Sequence, residues 1–145
     1  MKHSDRLAAF LDRLKSHGKR LTPQRLAIVR ALFAHGGHPT VEQIHHEILG
    51  VYPTTSLATV YKTISLLKDE GEILELAFGE QGNRYDGRRP QPHPHMVCTR
   101  CGMILDLELP GLEADVARLA MDTGFAVQAH RFDIFGICPS CRKEA

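Results

Sequence analysis

The sequence predicts an α+β protein of two modules, a larger helical one followed by a smaller one of mixed helix and strand. Three observations support this prediction. Apolar residues recur at helical spacing through residues 1–70, and a hairpin pattern follows them. The chain has four cysteines, which form two Cys-x-x-Cys pairs in its last third. Between these regions, prolines at every second position predict an extended, semi-rigid segment.

Each of four predicted helices in the first module has a start or stop signal. The stripe of the first is Leu7, Phe10, Leu11 and Leu14. The signals are Gly18 after the first helix, Thr22-Pro23 and Gly36-Gly37 around the second, Thr40 with Gln43 and Gly50 around the third, and Ser56 and Gly71 around the fourth.

A hairpin is predicted next, from a strand at 73–78, a turn at 79–83 and a short strand at 84–86. Helices followed by a hairpin are the order of a winged helix-turn-helix, in which the helix after the turn enters the major groove of DNA. On the fourth helix, Ala58, Thr59 and Lys62 lie opposite the apolar stripe, with Tyr61 on the flank. That face is suited to base edges and phosphates, although an ordinary solvated helix face would show the same pattern.

The N-terminal and C-terminal halves of the chain differ in net charge. Residues 1–68 carry ten Lys and Arg against four Asp and Glu, a balance of +6, whereas residues 69–145 carry eight against thirteen, a balance of −5. A basic half joined to an acidic half suggests a module that reads a polyanion, coupled to one that binds metal. No signal-peptide pattern or long apolar run is present, which predicts a cytoplasmic protein that does not enter membranes.

The second module is predicted to contain strands at 96–97 and 103–109, a helix at 112–119 closed by Gly124, and a long strand at 125–137. A module of this size cannot hold a large core, so a structural metal and dimerisation are the expected remedies. The two pairs, Cys98 with Cys101 and Cys138 with Cys141, supply four thiolates for one closed tetrahedral zinc site. Thioredoxin-like redox chemistry is the alternative, but it normally uses a single pair that opens a helix.

A second set of candidate ligands precedes the first cysteine pair. His93 and His95 stand at alternate positions of an extended segment and therefore point to the same face. Asp86 and Asp106 are possible oxygen partners, and His38 is a further candidate in the loop before the third helix. Mixed histidine and carboxylate sites suit Fe(II), Mn(II) or Zn(II).

Taken together, these motifs resemble the ferric uptake regulator family of metal-responsive bacterial repressors. The similar stretches, which occur in the family's order along nearly the whole chain, are Arg20-Leu-Thr-Pro-Gln-Arg25, His38-Pro-Thr40, Ser56-Leu-Ala-Thr-Val-Tyr61, Arg84-Tyr-Asp86, His93-Pro-His95, Cys98-x-x-Cys101-Gly102 and Gly136-Ile-Cys138-x-x-Cys141.

The resemblance implies a winged-helix DNA-binding domain at 1–86, a hinge at 87–94 and an α/β dimerisation and metal-binding domain at 95–145. It implies a homodimer that binds double-stranded DNA, structural Zn²⁺ on the four cysteines, and regulatory Fe²⁺ or Mn²⁺. The regulatory ligands carried over are His38, Asp86, His93, His95 and Asp106. The predicted DNA-binding residues are Arg20, Ser56, Thr59, Tyr61 and Lys62.

Within the family, iron-uptake repressors have Glu at acidic positions of this site, and peroxide sensors have Asp. This chain has Asp86 and Asp106, so it is similar to the peroxide-sensing type, in which Fe(II) directs oxidation of a ligand histidine, here His38 or His93. Pro92 and Pro94 replace residues of a further family site, which is expected to be absent although Glu113 and His130 match its other positions. Lys62 also departs from the family's usual Arg or Asn, which leaves operator preference open.

Three alternatives stay open. The same architecture could respond to the availability of iron, manganese or zinc instead of peroxide. A protein with structural zinc and no regulatory metal would bind DNA independently of chelators that spare the thiolates. A zinc deaminase is the enzymatic alternative, since His45-His46-Glu47 satisfies His-x-Glu, but Pro does not precede either cysteine pair and four thiolates leave no position for activated water. The protein is therefore expected not to be an enzyme.

Overall fold

The computed structural model describes residues 2–78 and 82–144, with only the backbone of His3. The chain divides into two compact units, Met1–Gln91 and Pro92–Ala145. The division falls within the proline-rich segment 87–94. Within the described residues, no helix is long and apolar enough to cross a membrane.

The first unit contains four helices and a hairpin. Its elements are α1 (His3–Ser16), α2 (Pro23–Ala34), α3 (Val41–Leu49), α4 (Leu57–Asp69), β1 (Leu74–Ala77) and β2 (Asn83–Asp86). The helix predictions are confirmed at their caps. The Thr22 hydroxyl accepts the Arg25 N–H at 3.2 Å, and Thr40 and Gln43 form the reciprocal capping box. Caps of this kind satisfy backbone donors that the first helical turn leaves without partners.

One apolar core joins the four helices to the base of the hairpin. Each large side chain buried there contributes about 1.5–3 kcal/mol relative to an exposed one. The core residues are Phe10, Leu14, Ile28, Val29, Leu32, Phe33, Val41, Ile44, Ile48, Val60, Ile64, Leu67, Ile73 and Tyr85. This core fixes α2, α3 and α4 relative to one another, as a winged helix-turn-helix requires.

The hairpin that follows α4 is the wing. β1 and β2 are antiparallel, and their register pairs Leu74 with Asp86 and Ala77 with Asn83. The predicted turn began at residue 79, and residues 79–81 lie outside the described part of the chain. The register places Asp86 at the base of the wing, beside the helices.

The second unit is a small three-stranded sheet with two helices. Its elements are β3 (His95–Cys98), β4 (Ile104–Asp106), α5 (Leu112–Thr123), β5 (Asp133–Gly136) and α6 (Pro139–Lys143). The strand order is β4-β3-β5, with β4 antiparallel and β5 parallel to β3. Gly124 closes α5 in the left-handed conformation at φ 75°, as its position predicts.

Two of the three strand predictions for this unit were too long, and the third, at 96–97, was one residue short at each end of β3. The segment predicted as one strand at 125–137 forms a strand only at Asp133–Gly136, where it pairs with β3, and residues 125–132 are irregular and exposed. The strand predicted at 103–109 is limited to Ile104–Asp106. An apolar, β-branched sequence does not form a strand by itself. A strand ends where no neighbouring strand supplies hydrogen bonds to its backbone. The short helix α6 was not predicted.

Candidate metal centres and DNA-binding face

The four cysteines converge within the second unit. Cys98 ends β3, Cys101 lies in the turn after it, Cys138 caps α6, and Cys141 lies within α6. Their Sγ atoms lie within 4.8 Å of one another. Four sulfur donors at this separation suit a closed tetrahedral Zn²⁺ site, with no position left for water. The structure thus brings together all four predicted zinc ligands.

Backbone N–H groups prepare this cluster for a cation. Hydrogen bonds from the N–H groups of Cys101 and Cys138 lower the pKa of Cys98 to about 6. The Cys138 N–H lies 3.3 Å from the Cys98 sulfur. In contrast, the hydrogen bond with Cys138 raises the pKa of Cys141 to about 12. Without metal, the four thiols therefore cannot all ionise near neutral pH, and binding Zn²⁺ displaces the remaining protons.

A buried histidine–aspartate pair lies in the first unit. His38 Nε2 is 3.3 Å from Asp86 Oδ2, and the side chains are 6% and 3% exposed. Asp86 Oδ1 accepts the backbone N–H groups of Arg88 and Arg89, each at 2.9 Å. Burial alone would raise the pKa of Asp86, but the hydrogen bonds from His38, Arg89 and Arg88 outweigh it and lower the pKa to about 2. Asp86 is consequently an anion at physiological pH, with an oxygen directed at an imidazole.

Strand β2 holds the segment that carries His38. The Arg84 guanidinium donates to the His38 carbonyl, and the Tyr85 N–H donates to the Pro39 carbonyl at 3.0 Å. Asp86, the next residue of the strand, contacts the His38 imidazole. Three consecutive residues of the wing therefore position this candidate ligand pair. Sequence reasoning identified both residues as candidate ligands but left the pose of the His38 loop open.

A second donor set lies in the second unit, at the start of its sheet. His93 Nε2 lies 2.9 Å from Asp106 Oδ1, and His95 Nε2 lies 3.4 Å from the same oxygen. The two imidazole Nε2 atoms are 3.1 Å apart. The β3–β4 register explains the contact, because it pairs His95 directly with Asp106. The pKa of His95 is lowered, mainly by burial and to a smaller extent by the neighbouring His93. A lower pKa favours the neutral imidazole, the form that can bind metal.

A carboxylate that sequence reasoning missed supports this set. Asp133 Oδ1 lies 3.2 Å from His95 Nδ1, and the Arg131 guanidinium contacts the other Asp133 oxygen. The parallel register of β3 and β5 pairs His95 with Asp133. An acidic residue at the head of the last strand was the available signal, but only the strand pairing shows which histidine it meets.

Sequence reasoning considered an additional site that would use Glu113 and His130. Among the residues that the structure describes, no group of three or more potential ligands includes Glu113 or His130. The donor chemistry of the other sets fits the implied metals. The thiolates suit Zn²⁺, and imidazole nitrogens with aspartate oxygens suit Fe²⁺ or Mn²⁺.

The predicted DNA-binding residues lie on the outer surface of the first unit. Tyr61 is 46% exposed, Lys62 and Arg20 are exposed, and the opposite face of α4 is buried in the core. Ser56 caps α4, accepting the Thr59 N–H at 3.1 Å, so its hydroxyl already has a structural role. The structure thus leaves Arg20, Tyr61 and Lys62 as the predicted residues with the greatest freedom to reach DNA.

A polar cleft of about 330 Å³ adjoins this surface. It lies at the N-termini of α2 and α4. Sequence reasoning did not identify this cleft. Helix N-termini favour anions, and hydroxyl and guanidinium groups can donate to phosphate oxygens. The lining residues are Thr22, Gln24, Arg25, Thr54, Thr55, Ser56 and Thr59.

The second unit exposes an apolar surface. Burial in this unit is slight, and many of its large apolar side chains face solvent. Exposed apolar groups on this scale mark a surface that a partner covers. The exposed residues are Met96, Met103, Leu105, Leu109, Leu119, Met121, Phe125, Val127, Phe132, Ile134, Phe135 and Ile137.

Comparisons with known proteins agree with this architecture. The model of the ferric uptake regulator family matches residues 16–135. The peroxide operon regulator of Bacillus subtilis (strain 168) is 38% identical over 138 residues, covering 95% of this chain and 94% of that protein. The solved structure of the Helicobacter pylori ferric uptake regulator, described as revealing three functional metal binding sites, has a TM-score of 0.85 at 25% identity and covers 98% of this chain and 95% of that one. The Campylobacter jejuni peroxide stress regulator has a TM-score of 0.70 at 34% identity, covering 90% of this chain and 98% of that one.

Proposed function

The chain belongs to the ferric uptake regulator family, and we propose that it is a metal-dependent transcriptional repressor that senses peroxide. Relatives at 38% identity are named as a peroxide operon regulator and peroxide-responsive repressors. Members of this family regulate transcription, so the chain is not an enzyme. The observation that carries the proposal is the pair of donor sets, in which the histidines are buried and both carboxylates are aspartates.

The proposed regulatory site combines the two sets. His38 and Asp86 in the first unit, with His93, His95 and Asp106 in the second, would share one Fe²⁺ or Mn²⁺ ion, and the four cysteines would hold structural Zn²⁺. A ligand that joins two units favours one arrangement of them over others. Its differential affinity for the two states sets the change in DNA affinity. Metal binding thereby favours the arrangement in which a dimer fits its operator.

Peroxide sensing follows from the chemistry of this donor set. An Fe(II) ion held by these residues would supply the redox chemistry that splits the O–O bond of peroxide. One oxygen atom would enter a C–H bond of an adjacent imidazole, that of His38 or His93, and the other would leave as water. Both histidines are more than nine-tenths buried, at 7% and 8% exposure, so oxidants from bulk solvent reach exposed histidines first. Oxidation of a ligand weakens metal binding, and the repressor then releases DNA. Mn(II) supports repression without this oxidation.

The proposed partner is double-stranded DNA. Arg20, Tyr61 and Lys62 are exposed beside a cleft with two helix N-termini, which suits base edges and phosphates. The apolar surface of the second unit supports a homodimer, in which a second copy covers it. We propose that the dimer acts in the cytoplasm, where its operators lie.

The test is peptide mass spectrometry after brief exposure to near-stoichiometric hydrogen peroxide. Protein loaded with Fe(II) is compared with protein loaded with Mn(II), and fragment ions assign any added oxygen to a residue. We expect one added oxygen on His38 or His93 in the iron sample only, while exposed His46 and His130 stay unmodified in both.

Two other outcomes would change the proposal. Unmodified His38 and His93 at confirmed iron occupancy would favour a repressor that responds to metal availability, a function supported by the likeness to the Helicobacter pylori regulator. Equal oxidation of His46 and His130 would show that the oxidant forms in bulk solvent and not at the proposed site.

A further inference from the structure

Arg6, in the first turns of α1, contacts two backbone carbonyls far away in sequence. Its guanidinium donates to the Glu72 carbonyl oxygen and to the Gly87 carbonyl oxygen. The guanidinium carbon also lies 3.9 Å from the centre of the Phe33 ring on α2. The planar, always charged fork of arginine suits this geometry, because it can donate to two acceptors at a fixed separation.

The two carbonyls flank the wing. Glu72 precedes β1, Gly87 follows β2, and the register pairs Leu74 with Asp86 between them. Arg6 therefore joins the entry and the exit of the hairpin at its base. Gly87 is also the residue directly after Asp86, a proposed regulatory ligand, so Arg6 is anchored one peptide away from the metal site.

Gly87 has little room to move. A Cβ atom at this position would lie 2.7 Å from the Leu32 carbonyl carbon and closer still to its oxygen. The peptide after Asp86 is thus held between the backbone of α2 and the Arg6 guanidinium. A displacement of Asp86 must be accommodated through these contacts.

Glu72, the second residue whose carbonyl Arg6 contacts, is hydrogen-bonded to α4, the proposed DNA-reading helix. The Glu72 N–H donates to the Leu67 carbonyl oxygen in the last turns of α4 at 2.9 Å. The Glu72 carboxylate receives Arg6 Nε at 3.3 Å and is contacted by Arg13 as well. Arg6 consequently connects the residue beside Asp86 with Glu72, whose own N–H is hydrogen-bonded to the C-terminal part of α4.

We propose that Arg6 is a positioning residue that couples occupancy of the regulatory metal site at Asp86 to the placement of α4 and the wing on DNA. The inference rests on the proposed function, since it presumes that metal binding raises DNA affinity. In this role Arg6 contacts neither the metal nor DNA. It keeps the two ends of the hairpin at the separation that metal-bound Asp86 requires, so that the helix and the wing move together.

The test measures coupling and not affinity alone. The probe is a duplex that the wild-type protein selects from a random library in the presence of Mn(II). Its dissociation constant is measured with Mn(II) and after a chelator has removed the regulatory metal but left the zinc. The ratio of the two constants is the coupling, which for allosteric pairs is typically about 5–150-fold.

We expect Arg6→Gln to reduce this ratio by about tenfold or to abolish it, within that range. Arg13→Gln is the matched control, because it removes a contact with the Glu72 carboxylate and leaves both carbonyl contacts intact; its ratio should stay within about threefold of wild type. By reciprocity, the gain in Mn(II) affinity that the duplex produces must fall by the same factor in Arg6→Gln. A purely structural role would weaken DNA binding equally with and without Mn(II), and that result would overturn the proposal.

Arg6→Lys keeps the positive charge. If Arg6→Gln does not fold, the coupling ratio of Arg6→Lys tests the proposal instead. A lysine ammonium cannot reproduce the two-carbonyl fork, so we expect a folded protein with reduced coupling. Full coupling in Arg6→Lys would contradict the proposed geometry. A wild-type protein whose DNA affinity does not respond to Mn(II) would contradict the proposed function itself, which is a distinct result.

Discussion

His95 Nδ1 lies 3.2 Å from Asp133 Oδ1, across the parallel pair of β3 and β5. The same imidazole directs its Nε2 at Asp106. A carboxylate on the far nitrogen of a metal-binding histidine fixes its tautomer and orientation and increases its basicity as a ligand. Asp133 therefore belongs to the proposed metal site although it donates nothing to the ion.

Asp133→Asn should lower Mn(II) affinity by about 10–100-fold, because the amide is a weaker acceptor for the His95 N–H. Manganese electron paramagnetic resonance during a titration measures the free ion directly. Asp133→Glu should recover part of the affinity, and zinc content should stay at wild-type level in both variants. Unchanged Mn(II) binding in Asp133→Asn would remove this carboxylate from the site.

Asp106→Ala should abolish the increase in DNA affinity that Mn(II) produces, because it removes the oxygen that lies 2.9 Å from His93 Nε2 and 3.4 Å from His95 Nε2. Fluorescence anisotropy of a labelled duplex with and without Mn(II) provides the measurement. Asp122→Ala is the matched control, since that carboxylate is exposed on α5 and belongs to no ligand cluster among the described residues. If Asp106→Ala retained the full Mn(II) effect, the assignment of the second donor set would be wrong.

The buried Asp86 predicts a defined acid dependence of stability in the zinc-loaded protein without regulatory metal. Its pKa is lowered from 3.8 to about 2 on folding, so its ionised form stabilises the fold above pH 4 by about 2 kcal/mol. This contribution is lost as the pH falls from about 4 towards 2. Urea unfolding followed by circular dichroism should show wild type more stable than Asp86→Asn above pH 4, with the difference shrinking below it. A difference that is constant down to pH 2 would contradict the argument.

Gly87→Ala should destabilise the first unit by about 1–3 kcal/mol, because the added methyl group overlaps the Leu32 carbonyl. The urea midpoint measures this change. Gly36→Ala is the control, since a Cβ there meets nothing within 4 Å. Equal effects of the two substitutions would show that general loss of glycine flexibility, and not the contact with α2, determines the result.

Removal of zinc should unfold the second unit and leave the first intact. Among the described residues of the second unit, the buried apolar side chains are Pro94, Val97, Cys98 and Cys141, whereas the first unit has its own core. A unit with so small a core depends on its metal for stability. Hydrogen-exchange mass spectrometry after strong chelation should show lost protection in β3 and β5 and retained protection in α2 and α4. Loss of protection in all four elements would mean that the units do not unfold separately.

Local signals predicted the first unit well. The caps at Thr22, Thr40 and Ser56 are determined by residues three positions apart, and such motifs are visible in sequence. The cysteine pairs were equally recognisable, because zinc imposes its own spacing on the ligands. The carboxylates Asp86 and Asp106 were identified as candidates from the sequence.

Features that depend on strand pairing were harder to predict. The strand expected at 125–137 is observed only at Asp133–Gly136, because residues 125–132 have no strand partner among the described residues. The role of Asp133 was missed because it meets His95 through a parallel register that joins distant parts of the chain. No period or motif in the sequence encodes which of two distant strands lies beside the other.

Strand β2 serves two purposes with three adjacent residues, since Arg84, Tyr85 and Asp86 build the wing and also hold the segment that carries His38. A substitution of one of these three residues that alters the wing would also alter the position of the candidate metal ligands. Among descendants of such a regulator, a change of operator and a change of metal sensitivity would therefore be inherited together. Efforts to retarget the protein to a new promoter should accordingly begin on α4 and leave this strand untouched.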